Sequence, residues 1–201
     1  MKRYVTLTEE ADRAAIVAWW RQMNPLPGSR APSYAGRRAE LRRAMDPAAV
    51  LVTEGFADLA ARLSDDQTKP DKLLPLAAAA GIVAHVGEND PSLSFAAQLA
   101  KPAAEVGDKP RLSTLRFAQL QQSHDLDLFY RRTIRAVKLL RGTANVLSIV
   151  DGVLQWAQEE LSKHYQSDPR DRLRVRWGLD YFRKPSNRDQ SEHAEQEEET
   201  P

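Results

Sequence analysis

The chain has 201 residues, of which 42% are hydrophobic and 28% charged, and it contains no cysteine. That composition fits a soluble globular protein of one large domain or two small ones. It excludes a disulfide framework, Cys-ligated zinc, an iron–sulfur cluster and thiol catalysis. Lys+Arg total 29 against 28 Asp+Glu, a net charge of +1 that argues against a globally basic nucleic-acid coat.

The pattern is helical almost throughout. Thr6 and Glu9 have capping-box spacing, and Ala15, Ile16, Trp19, Trp20 and Met23 follow on one helical face. Asn24-Pro25 ends that helix, because the residue before proline disfavours the helical region. A Pro/Gly/Ser-rich loop spans 24–36, and a second helix runs from Arg37 to Met45. Asp46-Pro47 reads as a cap plus first-turn proline, opening a third helix through Leu63. A polar linker occupies 64–72, and Leu73 to Val86 is Ala-rich and helical. That run is the longest near-apolar one. Pro75, Gly81 and His85 interrupt it, and it is shorter than the roughly 18 residues of a membrane helix. The N-terminus MKRYVTLTEE turns acidic where a signal peptide turns apolar, so a cytoplasmic location is expected.

After a turn at 87–92, residues 93–111 hold a short helical patch from Phe95 to Leu99 and then a surface loop. Ser113 is a good N-cap for a helix through Gln121. Another helix follows from Asp125 to Arg141, ended by Gly142, and a further one covers Val146 to Leu161. Asp168-Pro169 opens a last helix through Tyr181 or Phe182. No alternating strand pattern or internal repeat is present. The expected fold is all-α, a bundle of seven to nine helices. The expected organisation is an N-terminal helical half at 1–100, a C-terminal half at 112–184 and an acidic disordered tail at 186–201. The tail carries about −5, which leaves +6 on the body. It reads either as a solubilising end or as an electrostatic mimic that shields a basic surface.

No motif marks an active site. His85, His124, His164 and His193 make no i, i+4 metal pair and no HExxH frame. There is no GxSxG elbow and no phosphate loop. Asp125 and Asp127 at a helix start are explained by the helix dipole. No catalytic residue, metal ligand or cofactor is assigned.

Arginine placement carries more information. In the helix over 125–141, Arg131, Arg135 and Lys138 fall within roughly 60° of one another at 100° per residue. Leu126, Phe129, Thr133, Ala136, Val137 and Leu140 take the opposite side, and Arg132 points about 100° away from Arg131. Helix-dipole compensation explains Lys138 and Arg141 well and Arg131 poorly. Arg37 and Arg38 stand one turn before Arg42 and Arg43, and Lys109, Arg111 and Arg116 surround a helix N-terminus, an end that suits phosphate. Arginine dominates the clusters, and its planar fork suits bidentate phosphate contacts. A fourth set, Arg170, Arg172, Arg174 and Arg176, alternates with acids and reads as intramolecular salt bridges. The four tryptophans lie at apolar helical positions and read as core, with base stacking on a displaced single strand as the lesser alternative.

Six elements in order resemble one family. They are WWR at 19–21, AELRRA at 39–44, LSTLRFAQL at 112–120, LFYRRTIRAVKLL at 128–140, VLSIVDGVLQW at 146–156 and VRWGLDYF at 175–182. Together they resemble the CasB-type small subunit of the type I-E CRISPR surveillance complex, Cascade, over about residues 15–184. The resemblance implies an all-helical fold of two small bundles and no catalytic activity. It implies two copies head to tail, so a second copy of itself is a partner, beside the guide RNA ribonucleoprotein and other Cascade subunits, with no membrane. It also implies a basic surface that holds target DNA and the displaced single strand when the R-loop forms, in antiviral defence. Guide–target pairing reads sequence in such systems, so backbone contacts suffice. Arg42, Arg43, Arg116, Arg131 and Arg132 lie within matched elements. Arg37, Arg38, Arg111, Arg135 and Lys138 join them as nucleic-acid-binding candidates by clustering. A helical protein–protein adaptor, whose basic ridges bind acidic partners, is the alternative.

Overall fold

A computed structural model describes residues 3–25, 34–102 and 109–183. The acidic tail at 186–201, most of the 24–36 loop and the middle of the 93–111 stretch lie outside them. Among the described residues are ten α-helices, eight of them of seven or more residues, and one two-residue strand pair. The fold is all-α, as the sequence predicts.

The first helix, α1 (Glu10–Met23), starts differently from the expected capping box. Its N-cap is Glu9 without a side-chain bond, because Thr6 is engaged elsewhere. The backbone N–H and hydroxyl of Thr6 donate to Asp151 Oδ1 at 2.7 and 2.9 Å. Next come α2 (Ala35–Arg43), α3 (Pro47–Leu51) and α4 (Glu54–Ala60). The helix expected from Pro47 to Leu63 is therefore two. Asp46 caps the first by accepting from Ala49 N–H at 2.8 Å. Thr53 then turns extended, and its hydroxyl accepts from Phe56 N–H at 3.2 Å, which restarts the chain as α4.

The next helix, α5 (Pro70–Val83), begins inside the expected polar linker, with Pro70 in its first turn. Then follow α6 (Phe95–Ala100), α7 (Thr114–Gln121), α8 (Leu126–Leu139) and α9 (Val146–Glu160). Ser94, Ser113, Asp125 and Asn145 cap them in turn, each side chain accepting an N–H three residues on. The last helix, α10 (Leu173–Phe182), is another correction. Asp168-Pro169 opens only a 3₁₀ turn, Pro169–Asp171. The start of α10 is capped from a neighbouring helix: Glu159 of α9 accepts from Leu173 N–H at 3.0 Å. Burial of that carboxyl raises its pKa above the ordinary range.

Every residue of α5 from Pro75 to Val83 is buried. A helix apolar on all sides belongs in the middle of a bundle, and α5 packs against α3, α8 and α9. The last helix, α10, lies on α6 and α9. There Trp177 meets Phe95 edge to face at 5.8 Å, and Phe129 stacks on Trp156 at 4.5 Å. All four tryptophans are buried. Where the indoles of Trp19 and Trp20 reach polar surroundings, they donate to Gly55 O and Val86 O at 2.9 and 3.1 Å.

One buried polar group joins three distant segments. Asp151 on α9 accepts at Oδ1 from the N–H groups of Val5, Thr6 and Leu7 and from the Thr6 hydroxyl. Its Oδ2 accepts from Arg176 of α10 at 2.8 Å, and both side chains are almost wholly buried. The N-terminal strap, α9 and α10 are thereby fastened at one carboxylate.

The two strands, β1 (Glu88–Asn89) and β2 (Thr143–Ala144), pair in parallel just beyond the C-terminal ends of α5 and α8. Gly142 has φ +82°, a left-handed backbone that glycine adopts without strain. Its carbonyl accepts from Gly87 N–H at 2.8 Å.

Candidate nucleic-acid interface

The amphipathic division of α8 follows the sequence pattern. Leu126, Phe129, Thr133, Ala136, Val137 and Leu140 are buried, and Arg131, Arg135 and Lys138 are exposed. None of those three cations has a hydrogen bond or ion pair among the described residues. Three guanidinium or ammonium groups in a row along one solvated face are available to an outside anion.

Arg132 lies off that row and is half-buried. It donates to Gln119 O and, at 3.1 Å, to the Ser123 hydroxyl. It thus satisfies the C-terminal end of α7, where carbonyls lack intrahelical partners. Arg116, at the start of α7, is exposed and has no side-chain partner among the described residues. Arg111 is half-buried, and its Nε finds no partner among the described residues.

The arginines of α2 divide in the same way. Arg37 pairs with Glu54 and, at 3.5 Å, with Asp58, and its guanidinium lies 4.5 Å from the Tyr34 ring centroid. That holds α2 against α4. Arg38 turns inward and donates to Ala84 O at 2.9 Å and Val86 O at 3.2 Å. Burial, and then the charge of Arg42, lowers its pKa. Arg42 and Arg43 are exposed and unpaired among the described residues.

The fold brings these two cationic faces together at the end of α5. Arg38 holds the carbonyls on either side of His85. The turn after α8 lies against the same segment: a Cβ on Gly142 would stand 3.5 Å from His85 O. The His85 ring is half-buried and has no hydrogen-bond partner among the described residues. Burial, then the charges of Arg42, Lys138 and Arg38, push its pKa down to about 4. Sequence reasoning treats His85 as ordinary. Nothing in its local pattern signals otherwise, since the cations around it come from α2 and α8.

The fourth arginine set is intramolecular. Arg170 pairs with Asp168 at 2.8 Å, Arg174 with Glu160 at 2.9 Å and Arg176 with Asp151 at 2.8 Å. Arg172 donates to Gln166 O at 3.1 Å. Among the described residues no group of three or more His, Asp or Glu side chains is placed to hold a metal ion. No helix among them is long and apolar enough to cross a membrane.

A family model described as CRISPR-associated protein Cse2 matches residues 37–182. The chain belongs to that family. The match begins at Arg37 on α2 and ends at Phe182, the last residue of α10, so it takes in both cationic faces and the His85 junction. No curated protein and no solved structure matches the chain. Cse2, or CasB-type, proteins are structural subunits of Cascade in CRISPR defence, and that is the role of this chain at the level of its family. As a Cse2 subunit, it is a member of a multi-subunit complex.

Proposed function

We propose that this subunit grips the sugar–phosphate backbones of the target DNA and of the displaced strand, and so stabilises the R-loop within Cascade. The observation that supports this is the exposed row Arg131, Arg135 and Lys138. These cations have no protein partner among the described residues, on a helix whose other face is core. Arg42, Arg43 and Arg116 extend the contact surface. Arg37, Arg38, Arg111 and Arg132 sit behind it, and several of them hold the outer groups in place through bonds to neighbouring helices. The contacts are sequence-independent, because cations aimed at phosphates carry no base information. Base stacking does not contribute from tryptophan, since all four indoles are buried. Guide–target pairing supplies sequence recognition in such a complex. The chain acts without catalysis of its own, in company with other Cascade subunits, guide RNA and a second copy of itself.

The test is R-loop lifetime in reconstituted Cascade across a salt series. Each phosphate contact contributes a slope of about 0.7 in log affinity against log salt on a single strand. Arg131→Ala with Arg135→Ala should flatten the slope by about 1.4 and shorten the lifetime. Variants that fold and assemble normally but keep the wild-type slope and lifetime refute the proposal.

A further inference from the structure

On the basis of that backbone-binding reading, we propose that the acidic stretch 189–199 of this chain docks on Arg116, Arg131 and Arg135, and that a nucleic-acid strand must displace it to bind. The chain thus carries its own competitor for the phosphate-binding surface.

The charges are complementary. The stretch holds Asp189, Glu192, Glu195, Glu197, Glu198 and Glu199 and no Lys or Arg. Arg116, Arg131 and Arg135 are exposed and have no side-chain partner among the described residues. A carboxylate offers a guanidinium fork the same pair of acceptor oxygens that a phosphate does.

The place where the described chain ends puts the stretch within reach. Helix α10 runs antiparallel to α7. At one end the Tyr181 ring stacks on Phe117 at 4.0 Å, its hydroxyl donates to Leu112 O, and Phe182 meets Phe117 edge to face at 6.2 Å. At the other end Gln121 Nε2 donates to Arg174 O at 3.0 Å. Residue 183 therefore leaves the described structure beside the start of α7, where Arg116 precedes Phe117. Arg132 of α8 holds the far end of α7 through Gln119 O and the Ser123 hydroxyl. Arg131, its neighbour in sequence, thus stands on the order of 20 Å from the exit, the length of α7 plus one arginine. Arg135 follows one turn along α8. A chain leaving residue 183 can span up to about 20 Å by Asp189 and about 55 Å by Glu199. The whole stretch can meet Arg116, and nearly all of it can meet the start of the α8 row. Because the acids are tethered, their effective concentration at these arginines does not fall with dilution. A strand of many phosphates outcompetes them by releasing its own counterions, whereas a short one does not.

The experiment compares the full wild-type chain with a full chain in which the tail is neutralised by Asp189→Asn and by Glu→Gln at 192, 195, 197, 198 and 199. Three exposed ion pairs of ordinary weakness multiply to about fivefold, so the neutral tail should bind an oligothymidylate about fivefold more tightly at low salt. From about 0.01 to 0.1 M salt the Debye length shrinks from about 30 to 10 Å, and the difference should narrow. The contact itself is read without nucleic acid. The chain has no cysteine, so Ser191→Cys gives a single site for a nitroxide label. The label should broaden the amide signals of Arg131 and Arg135, and neutralising the tail, adding salt or adding oligothymidylate should restore them. Broadening at the start of α7 decides nothing by itself, because the tether alone brings the label there. Equal affinities of the two chains at low salt, or unbroadened Arg131 and Arg135 signals in the charged chain, overturn the competitor and leave backbone binding standing. If the oligothymidylate binds neither chain, backbone binding fails, and the broadening with its loss on neutralisation decides the contact alone. The salt release is read in the chain with its natural acids, so a defect in the neutralised variant does not remove the test.

Discussion

Asp151→Asn keeps the shape of a side chain that five donors surround: three backbone N–H groups, the Thr6 hydroxyl and the Arg176 guanidinium. Asparagine has one oxygen to serve both sides. If the oxygen stays with the N-terminal strap, its amide faces Arg176, whose Nη1 already lacks a partner among the described residues. A buried cation then loses its counter-charge, which costs about 3–5 kcal/mol. If the oxygen turns to Arg176, three backbone N–H groups lose their acceptor at about 1–3 kcal/mol each, while the Thr6 hydroxyl keeps the Asp151 backbone carbonyl at 3.3 Å, so the first arrangement wins. With a urea m-value of about 2–3 kcal/mol/M, the midpoint should fall by about 1–2.5 M. Tryptophan fluorescence reads it well, since all four indoles are buried. Arg176→Met should cost less, because Asp151 keeps its other four donors. The double variant should recover much of the loss, as the two charges of the Asp151–Arg176 pair are removed together. A midpoint shift under about 0.5 M for Asp151→Asn, or plain additivity in the double variant, would refute the reasoning.

Gly152→Ala places a Cβ 2.5 Å from Trp177 Cζ2, and that ring is held between Phe95 and Phe129. The overpacking should cost about 1–3 kcal/mol, read as a Tm lower by several degrees; an unchanged Tm means that the indole gives way freely. Arg131→Ala and Arg132→Ala, adjacent in sequence, should behave oppositely. Arg132→Ala loses its bonds to the end of α7 and about 1–2 kcal/mol of stability, with an unchanged salt slope. Arg131→Ala leaves stability within about 0.5 kcal/mol and flattens the slope. Equal effects on the salt slope would show that the two arginines are not divided in this way.

What could be read from the sequence was local. Ser113 bonds to an N–H group three residues away, so its cap was visible in the chain. The solvated stripe of α8 was visible because a helix repeats its faces every 3.6 residues. Thr6 misled because its partner, Asp151, lies 145 residues off. The start of α10 was hidden for the same reason, its cap being Glu159 on another helix. Within the candidate surface, no spacing rule separates Arg37 from Arg42 or Arg132 from Arg131. Arg37 is claimed by Glu54 and Asp58, and Arg132 by Gln119 O and Ser123, and those pairings arise only in the assembled bundle. The His85 junction was the least visible of all. It exists only where the ends of α5 and α8 meet, alongside α2.

The small parallel pairing beyond α5 and α8 ties together the backbones that carry the cations. Gly87 and Glu88 N–H groups both donate to Gly142 O, and Arg38 ties α2 to the same segment. Arg42 and Lys138 therefore stand on a preorganised frame. A polyanion that meets them immobilises only the outer side chains, at about 0.5–1.5 kcal/mol each, rather than ordering a loop or docking two helices. On the proposed backbone-binding reading, the distance between the phosphates that this surface would span is set by two backbone turns, at 87 and 142. A change at either turn alters the fit without touching a single cation.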